Sequence, residues 1–324
     1  MEDVRLSVIT PAWNEARNLP VLYERLRSVL DSGTLTWEWI VVDDHSRDET
    51  FAAVQQLALR DPRVRGVRLA RNGGSHAAIA CGLDEARGGT AVVLAADLQD
   101  PPEVIPALIA RWQGGAQVVW ASRRRVPGDA GEGAFSRLYY WLMRRVIGMH
   151  DMPPAGADFF LIDRAVIDVV TRLHERHTSV FALITWIGFR QEQVEYEKQA
   201  RLHGASGWTL RRKLKLVTDS VTAFSDLPVA ACWVTAVALT LVGAALAGGG
   251  ALELSLGVLA PAHVVLLGAM MVLSGIGLGM LAGVGEYVWR ALDEARRRPR
   301  WVVESRTAQH TVKSQLPPSL GSNF

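Results

Sequence analysis

Apolar and polar residues alternate in blocks along the first 120 residues, in a way that favours short buried strands separated by helices. The apolar runs have the length of buried strands and lie at 6–10, 37–43, 64–69, 91–95 and 117–121. Segments between them have helical character and lie at 19–30, 50–60, 75–86 and 103–111. Residues 46–49 (SRDE) have the spacing of a capping box that opens the helix over 50–60. This order predicts an α/β fold with a mainly parallel sheet and helices on both faces.

Polar residues follow the predicted strands at the point where each strand ends. They are Asn14 and Glu15, Asp43 and Asp44, 72–74 (NGG), 97–100 (DLQD) and Arg123. The carboxyl ends of parallel strands meet at one edge of a sheet, and ligands bind there. Acidic and amide side chains at several neighbouring strand ends therefore predict a site for a phosphorylated ligand and a metal ion.

Two amphipathic segments follow, near 134–147 and 208–225. Apolar residues recur at helical spacing in both, and basic residues lie between them, including the cluster 211–215 (RRKLK). Basic amphipathic helices are typical of a membrane interface. Ordinary surface helices packed on the core are the alternative that the pattern leaves open.

The longest apolar runs lie in the last third of the chain. No charged residue occurs over 227–251 or over 254–285, and Glu253 alone separates the two runs. Because about 20 apolar residues cross a bilayer, the runs predict spans near 228–248 and 262–284. A pair of buried core helices is the alternative.

Basic residues give the predicted spans an orientation. Lys and Arg cluster at 211–215 and 290–300, whereas the connector 249–261 has none, so both flanks are expected in the cytoplasm. An acidic start followed directly by a strand predicts no signal peptide. The predicted domains are a cytoplasmic domain over 1–225, a two-helix transmembrane hairpin over 226–288 and a basic cytoplasmic tail over 289–324.

Composition and motif content exclude several classes of function. Lys and Arg number 35 against 33 Asp and Glu, and this net charge of +2 excludes a polybasic nucleic-acid binder. Two cysteines cannot form a disulfide framework or a multi-cysteine zinc site. No GxGxxG follows the first predicted strand, so a Rossmann oxidoreductase is excluded.

Several motifs resemble known glycosyltransferases. Those similar to family 2 glycosyltransferases of the GT-A fold are 7–15 (SVITPAWNE), 41–50 (VVDDHSRDET), 71–74 (RNGG) and 97–103 (DLQDPPE). Further motifs resemble the polyprenyl-phosphate glycosyltransferases, the group of dolichol-phosphate mannose synthase and the bacterial undecaprenyl-phosphate glucosyl and aminoarabinosyl transferases. These motifs are 156–159 (GADF), 186–190 (WIGFR), 204–206 (GAS) and 285–287 (GEY). The resemblance runs from about 6 to 303 and includes the two-span tail.

The resemblance implies a reaction and a setting. One sugar passes with inversion from a UDP- or GDP-linked nucleotide sugar to a polyprenyl (undecaprenyl) phosphate, for cell-envelope glycosylation. The enzyme would be a multi-pass protein of the bacterial inner membrane with its catalytic domain and termini in the cytoplasm, and a homo-oligomer, a tetramer by resemblance. A catalytically impaired paralogue acting as a membrane partner or scaffold is the alternative. A processive polysaccharide synthase would need extra spans and a QxxRW motif, which are absent.

The resemblance also assigns roles at the metal and the nucleotide. Asp97 and Gln99 match the ligands of a Mg²⁺ or Mn²⁺ ion, although Ala95 stands where the family has the first Asp of its DxD motif. The expected nucleotide-sugar contacts are Pro11, Trp13, Glu15, Asp43, Asp44 and Asp97. His45 replaces a glycine of the family, so the turn that follows Asp44 is open to a different shape.

At the acceptor, Asp158 matches the proposed general base. A phosphate monoester has a second pKa near ~6 and so needs little deprotonation, which leaves open a role for Asp158 in orienting the substrates. Arginine binds phosphate as a fork, which makes Arg123 the first candidate for the acceptor phosphate. Arg137, Arg201 and Lys213 are the further candidates, with a solvated surface charge as the alternative for each.

Overall fold

The computed structural model describes residues 4–123, 158–173, 179–197, 199 and 299–307, and single residues between 266 and 295. The chain divides into two compact units, Met1–Leu210 with Pro299–Phe324, and Arg211–Arg298. The predicted amphipathic segments 134–147 and 208–225 and the predicted span 228–248 lie outside the described residues.

The first unit is built from strands and helices that alternate through its first half. The strands are β1 Leu6–Ala12, β2 Trp37–Asp43, β3 Val64–Leu69, β4 Thr90–Val93, β5 Val118–Arg123, β6 Phe160–Asp163, β7 Gln191–Tyr196 and β8 Val303–Arg306. The helices are α1 Leu19–Leu30, α2 Thr50–Arg60, α3 Ser75–Glu85, α4 Ile105–Gln113, α5 Arg164–Arg172 and α6 Val180–Trp186, with a 3-10 turn over Pro102–Val104. The predicted α/β order is confirmed.

All eight strands form one mixed sheet in the order β7-β5-β6-β4-β1-β2-β3-β8. The pairs β1–β2, β1–β4, β2–β3 and β5–β7 are parallel, so the sheet is mainly parallel as predicted. Strand β6 runs antiparallel between β4 and β5, and β8 runs antiparallel beside β3. The amino end of β6 therefore lies at the same edge as the carboxyl ends of its neighbours.

Side chains of the central strands are buried on both faces of the sheet. Val8 and Val41 belong to one apolar cluster, whereas the adjacent Ile9 and Val42 belong to the cluster on the other face. A strand covered by helices on both sides reads as a continuous apolar run, which is the pattern that predicted these strands.

The predicted capping box at 46–49 is wrong. Helix α2 begins at Thr50 with Glu49 as the N-cap residue, and the Glu49 side chain makes no capping bond, whereas Asp48 Oδ1 accepts from Thr50 N–H (3.1 Å). Ser46 instead bonds to other loops: its N–H donates to Asp43 Oδ1 (2.9 Å) and its Oγ accepts from Asn14 N–H (2.9 Å). Ser46 thus links the loop after β1 to the end of β2 and does not cap α2.

In the second unit, every described residue between 266 and 295 is helical. Large apolar side chains on it are exposed, and they are Leu266, Met270, Leu273, Leu281, Val284 and Val288. Over the described part of the chain, no helix has both the length and the apolar character needed to cross a membrane.

Candidate functional site

The sequence-predicted site residues that the structure describes lie at one edge of the sheet. The register aligns Ala12 with Asp43 and Arg123 with Tyr196 at the carboxyl ends of their strands. Asp158 precedes β6 at the same edge, because Phe159 C=O accepts from Ala121 N–H (3.0 Å) near the end of β5. Arg137, Arg201 and Lys213 lie outside the described residues, so their assignment stays a prediction.

The loop after β1 is joined to the loop after β2 by its backbone. Asn14 has a left-handed conformation (φ 59°), and its Oδ1 accepts from Arg47 N–H (2.8 Å). Glu15 N–H donates to Thr50 Oγ1 at the start of α2 (2.8 Å). Trp13, directly before these two anchored residues, is 41% exposed. An exposed indole on a fixed loop can cover a nucleotide base, and the half-buried Pro11 lies beside it on β1.

Asp43 is fully buried and bonded through both carboxylate oxygens. Its Oδ1 accepts from Ser46 N–H, and its Oδ2 accepts from Arg68 Nη1 (2.7 Å). A buried carboxylate needs such a cation, because desolvation penalises an unpaired charge. Arg68 was missed by the sequence reasoning, since it lies inside an apolar strand segment and pairs across 25 residues.

Asp44 fastens the glycine loop that leads into α3. Its Oδ1 accepts from Gly73 N–H (2.7 Å) and its Oδ2 from Gly74 N–H (2.8 Å). Burial raises the pKa of the Asp44 carboxyl, and the two N–H bonds oppose that rise. A carboxylate has about four lone-pair sites, so Asp43 and Asp44 each keep acceptor capacity for a ligand.

His45 has a backbone conformation that is typical of glycine. Its φ of 58° lies in the left-handed region that glycine adopts without strain. The imidazole Nδ1 lies 3.1 Å from Leu69 C=O, beside the end of β3. A histidine therefore occupies this position in a conformation typical of glycine, at a strain of about 1–2 kcal/mol.

The loop after β4 holds the candidate metal ligands. Leu98 is fully buried and left-handed (φ 61°), between Asp97 and Gln99. Gln99 N–H donates to Asp97 Oδ1 (3.2 Å), and Gln199 N–H donates to Gln99 C=O (2.9 Å). Non-glycine residues in this conformation cluster at functional sites, because the surrounding structure must hold them there.

The donor set of this loop suits a hard divalent cation. Mg²⁺ is usually held by one or two carboxylates together with substrate phosphates, and carboxylate and amide oxygens such as those of Asp97 and Gln99 meet that requirement. Within the described ranges, no cluster of three or more His, Cys, Asp or Glu residues could hold a metal by itself. Asp97 and Gln99 thus supply two oxygen donors of the kind that such a cation takes.

A buried tyrosine links the two halves of the edge. Tyr196 Oη donates to Asp100 Oδ1 (2.6 Å), and its ring meets Phe159 edge-on at 5.7 Å. Burial, followed by the charge of Asp100, raises the pKa of Tyr196, and Arg123 opposes that rise. Tyr196 was missed because β7 is short and partly polar.

His76, in the first turn of α3, is a half-buried base near this edge, and its Nδ1 atom is buried. Its ring packs on Phe181 at 4.8 Å, and its Nδ1 has no hydrogen-bond partner among the described residues. Burial and, to a smaller extent, the nearby charge of Arg300 lower the pKa of His76 to about 4. The imidazole is thus neutral in the folded protein at neutral pH.

The depressed pKa of His76 predicts acid destabilisation. Unfolded histidine binds a proton near pH ~6.5 whereas folded His76 binds one only near pH 4, so stability falls between those values, by on the order of 1–3 kcal/mol. We expect the melting temperature to fall more between pH 7 and 5 for the wild type than for His76→Asn. Equal falls would contradict the assignment.

Comparison with known proteins identifies proteins that are similar to this chain. The glycosyl transferase family 2 profile matches residues 7–171. An uncharacterized glycosyltransferase of Bacillus subtilis (strain 168) is 34% identical over 310 residues, or 93% of this chain and 94% of that protein. A bactoprenol glucosyl transferase of Shigella phage SfV is 29% identical over 308 residues, or 93% and 99%.

A solved structure shares the fold. Glucosyl-3-phosphoglycerate synthase from Mycobacterium tuberculosis, in complex with Mn²⁺, uridine diphosphate and phosphoglyceric acid, superposes with a TM-score of 0.50 at 17% identity, over 68% of this chain and 78% of that chain. The family match covers the segments that carry Asp43, Asp97, Arg123 and Asp158. This chain therefore belongs to glycosyltransferase family 2 and is an enzyme that transfers a sugar from a nucleotide sugar.

Proposed function

We propose that the enzyme transfers one sugar, with inversion, from a UDP- or GDP-linked nucleotide sugar to a polyprenyl phosphate, such as undecaprenyl phosphate. The proposal rests on one observation: the polar side chains at this edge of the sheet form two groups. The loops with Asp43 and Asp97 lie on one side, and Arg123 and Asp158 lie on the other, next to the buried Tyr196. The relative named bactoprenol glucosyl transferase supports a lipid-phosphate acceptor, because the similarity spans 93% of this chain.

The reaction needs little proton chemistry. An acceptor phosphate oxygen forms a bond to the anomeric carbon while the bond from that carbon to the nucleotide diphosphate breaks. With a second pKa near ~6, the phosphate is largely a dianion at neutral pH. Arg123 would hold that dianion, since a guanidinium is always charged and binds two phosphate oxygens at once.

A Mg²⁺ or Mn²⁺ ion belongs to this proposal. Bound at the diphosphate, it would neutralise the charge that develops on the leaving group. Asp97 and Gln99 would hold it, and Ala95 leaves the site with one carboxylate fewer than the DxD pattern. A solved protein of the same fold contains Mn²⁺ and uridine diphosphate, which supports a divalent ion in general.

The proposal also places the enzyme at a membrane. Spans near 228–248 and 262–284 would hold the catalytic domain at the cytoplasmic face of a bacterial inner membrane, as a homo-oligomer, a tetramer by resemblance. The exposed apolar side chains of Leu266, Met270 and Val284 on a helix support contact with lipid. The long uncharged runs of the sequence support spans rather than a soluble helix pair.

A single assay tests the reaction. Purified protein in detergent is incubated with undecaprenyl phosphate, Mn²⁺ and a panel of labelled UDP- and GDP-sugars, with and without EDTA. We expect label in the lipid extract from one nucleotide sugar and its loss in EDTA. Label that persists in EDTA would remove the metal from the proposal. No lipid label from any sugar, while the protein binds a nucleotide, would refute the lipid acceptor.

A further inference from the structure

Strand β8 follows the second unit in the sequence and completes the sheet beside β3. Thr307 N–H donates to Gly66 C=O (3.0 Å), and Gly66 N–H donates to Thr307 Oγ1 (3.1 Å). A Cβ at Gly66 would lie 2.8 Å from Thr307 Cγ2, so the two strands approach closely. Ala70 N–H donates to Val302 C=O (2.8 Å) at the other end. The segment 302–307 is thus fixed beside β3 from Gly66 to Ala70.

A bulge in β8 directs one side chain toward the polar edge. Arg68 pairs with Ser305 but Leu69 pairs with Val303, which leaves Glu304 as the extra residue. Side chains alternate between the faces of a regular strand, and a bulge re-aims the extra one. Here Glu304 Oε2 accepts from Arg68 Nε (2.8 Å).

Arg68 has a protein partner at each of its three nitrogens. Nε donates to Glu304, Nη1 donates to Asp43 Oδ2 (2.7 Å), and Nη2 donates to Ser46 C=O (3.1 Å). Arg68 is partly buried, and Asp43 is fully buried. Because a guanidinium is planar, fixing its Nε also fixes the direction of the bonds that it makes to Asp43 and Ser46.

We propose that Arg68 and Glu304 are positioning residues for the nucleotide end of the site. Glu304 orients Arg68, and Arg68 holds the Asp43 carboxylate and the 43–46 turn in the geometry that receives the nucleotide. This inference rests on the proposed role of Asp43 in nucleotide binding. It makes the affinity for nucleotide depend on a strand that follows the second unit in the sequence.

The test compares two variants of β8 in the full-length protein in detergent. For Glu304→Gln, we expect the Kd for UDP or GDP and the KM for the nucleotide sugar to rise about two- to fivefold with kcat nearly unchanged, the effect of a partly exposed ion pair. Arg306→Gln is the matched control. Arg306 lies on the same strand as Glu304, but it pairs with Glu85 (2.8 Å), whereas Glu304 pairs with Arg68. The nucleotide Kd of Arg306→Gln should equal that of the wild type.

A second pair of variants measures the coupling. Arg68→Lys should raise the nucleotide Kd about tenfold or more, because lysine keeps the charge but loses the planar group that bonds to Asp43, Ser46 and Glu304 at once. In the Arg68→Lys background, Glu304→Gln should have a smaller effect than it has alone, since Glu304 Oε2 contacts the guanidinium at 2.8 Å and lies farther, at 3.7 Å, from His45 Nδ1. Melting temperatures of all variants separate this loss of affinity from a loss of folding.

Three results would overturn the inference. They are an unchanged Kd in Glu304→Gln, an equal rise in Arg306→Gln, or full additivity of the Arg68 and Glu304 effects. A wild type that binds UDP or GDP but labels no lipid would refute the proposed acceptor alone, and the Kd comparison would still decide the roles of Arg68 and Glu304. A wild type that binds neither nucleotide would refute both proposals.

Discussion

Asp97→Asn is expected to lower the rate of sugar transfer by about 10²–10³-fold, the usual effect of removing one charge-stabilising group from a transition state. Asn keeps an oxygen that can accept from Gln99 N–H, so the loop after β4 should keep its shape. Ala95 offers no second carboxylate two residues earlier, so the lost charge is not replaced. Initial rates at saturating substrates, measured across a Mn²⁺ titration, give the size of the effect.

Two further variants control the Asp97 prediction. Ala95→Asp restores the DxD pattern and should preserve or raise the rate, with half-maximal activity at a lower Mn²⁺ concentration. Asp168→Asn removes a carboxylate from α5 that pairs with Arg164 (2.9 Å), and it should leave the rate unchanged. If Asp97→Asn transferred sugar at the wild-type rate, the metal assignment would fail.

Local patterns were enough to predict the central half of the sheet. The apolar runs at 37–43 and 64–69 coincide with β2 and β3, because a parallel strand that is buried on both faces is rich in apolar residues. The periodicity at 19–30 gave α1 with its observed bounds, since the buried Leu19, Leu22 and Leu26 recur at helical spacing. An apolar run and a helical periodicity each lie within one strand or helix, so both are visible in the sequence without knowledge of its tertiary contacts.

Contacts between distant segments set the limit of that prediction. Ser46 fits a capping box locally, yet its hydroxyl accepts from Asn14, 32 residues away. Strands β6 and β8 have four residues each, and the alternation of Val303 and Ser305 with charged neighbours is too short to indicate a strand. The contact of Glu304 with Arg68 spans 236 residues and depends on a bulge, which no local pattern predicts.

Loss of the Asp158 carboxylate is the second large effect that we expect. Asp158 is exposed at the polar edge, and the neighbouring Phe159 anchors it to the end of β5. Asp158→Asn should lower kcat by about 10²-fold or more, whether the carboxylate accepts a proton or orients the substrates. The size of the loss alone does not separate these roles, so the measurement is the dependence of kcat on pH.

The second pKa of the acceptor phosphate makes the two roles distinguishable. At pH 7–9 the phosphate is already a dianion, since that pKa is near ~6. A variant that lacks only an orienting group should therefore keep the wild-type pH profile at a lower rate, and this is the result that we expect. A variant that lacks a general base should instead gain rate steadily as pH rises, because hydroxide replaces the missing acceptor. Such a rise in Asp158→Asn, absent from Asp168→Asn, would assign proton removal to Asp158 and show that the bound acceptor is a monoanion, a state that the pairing of a phosphate with Arg123 disfavours.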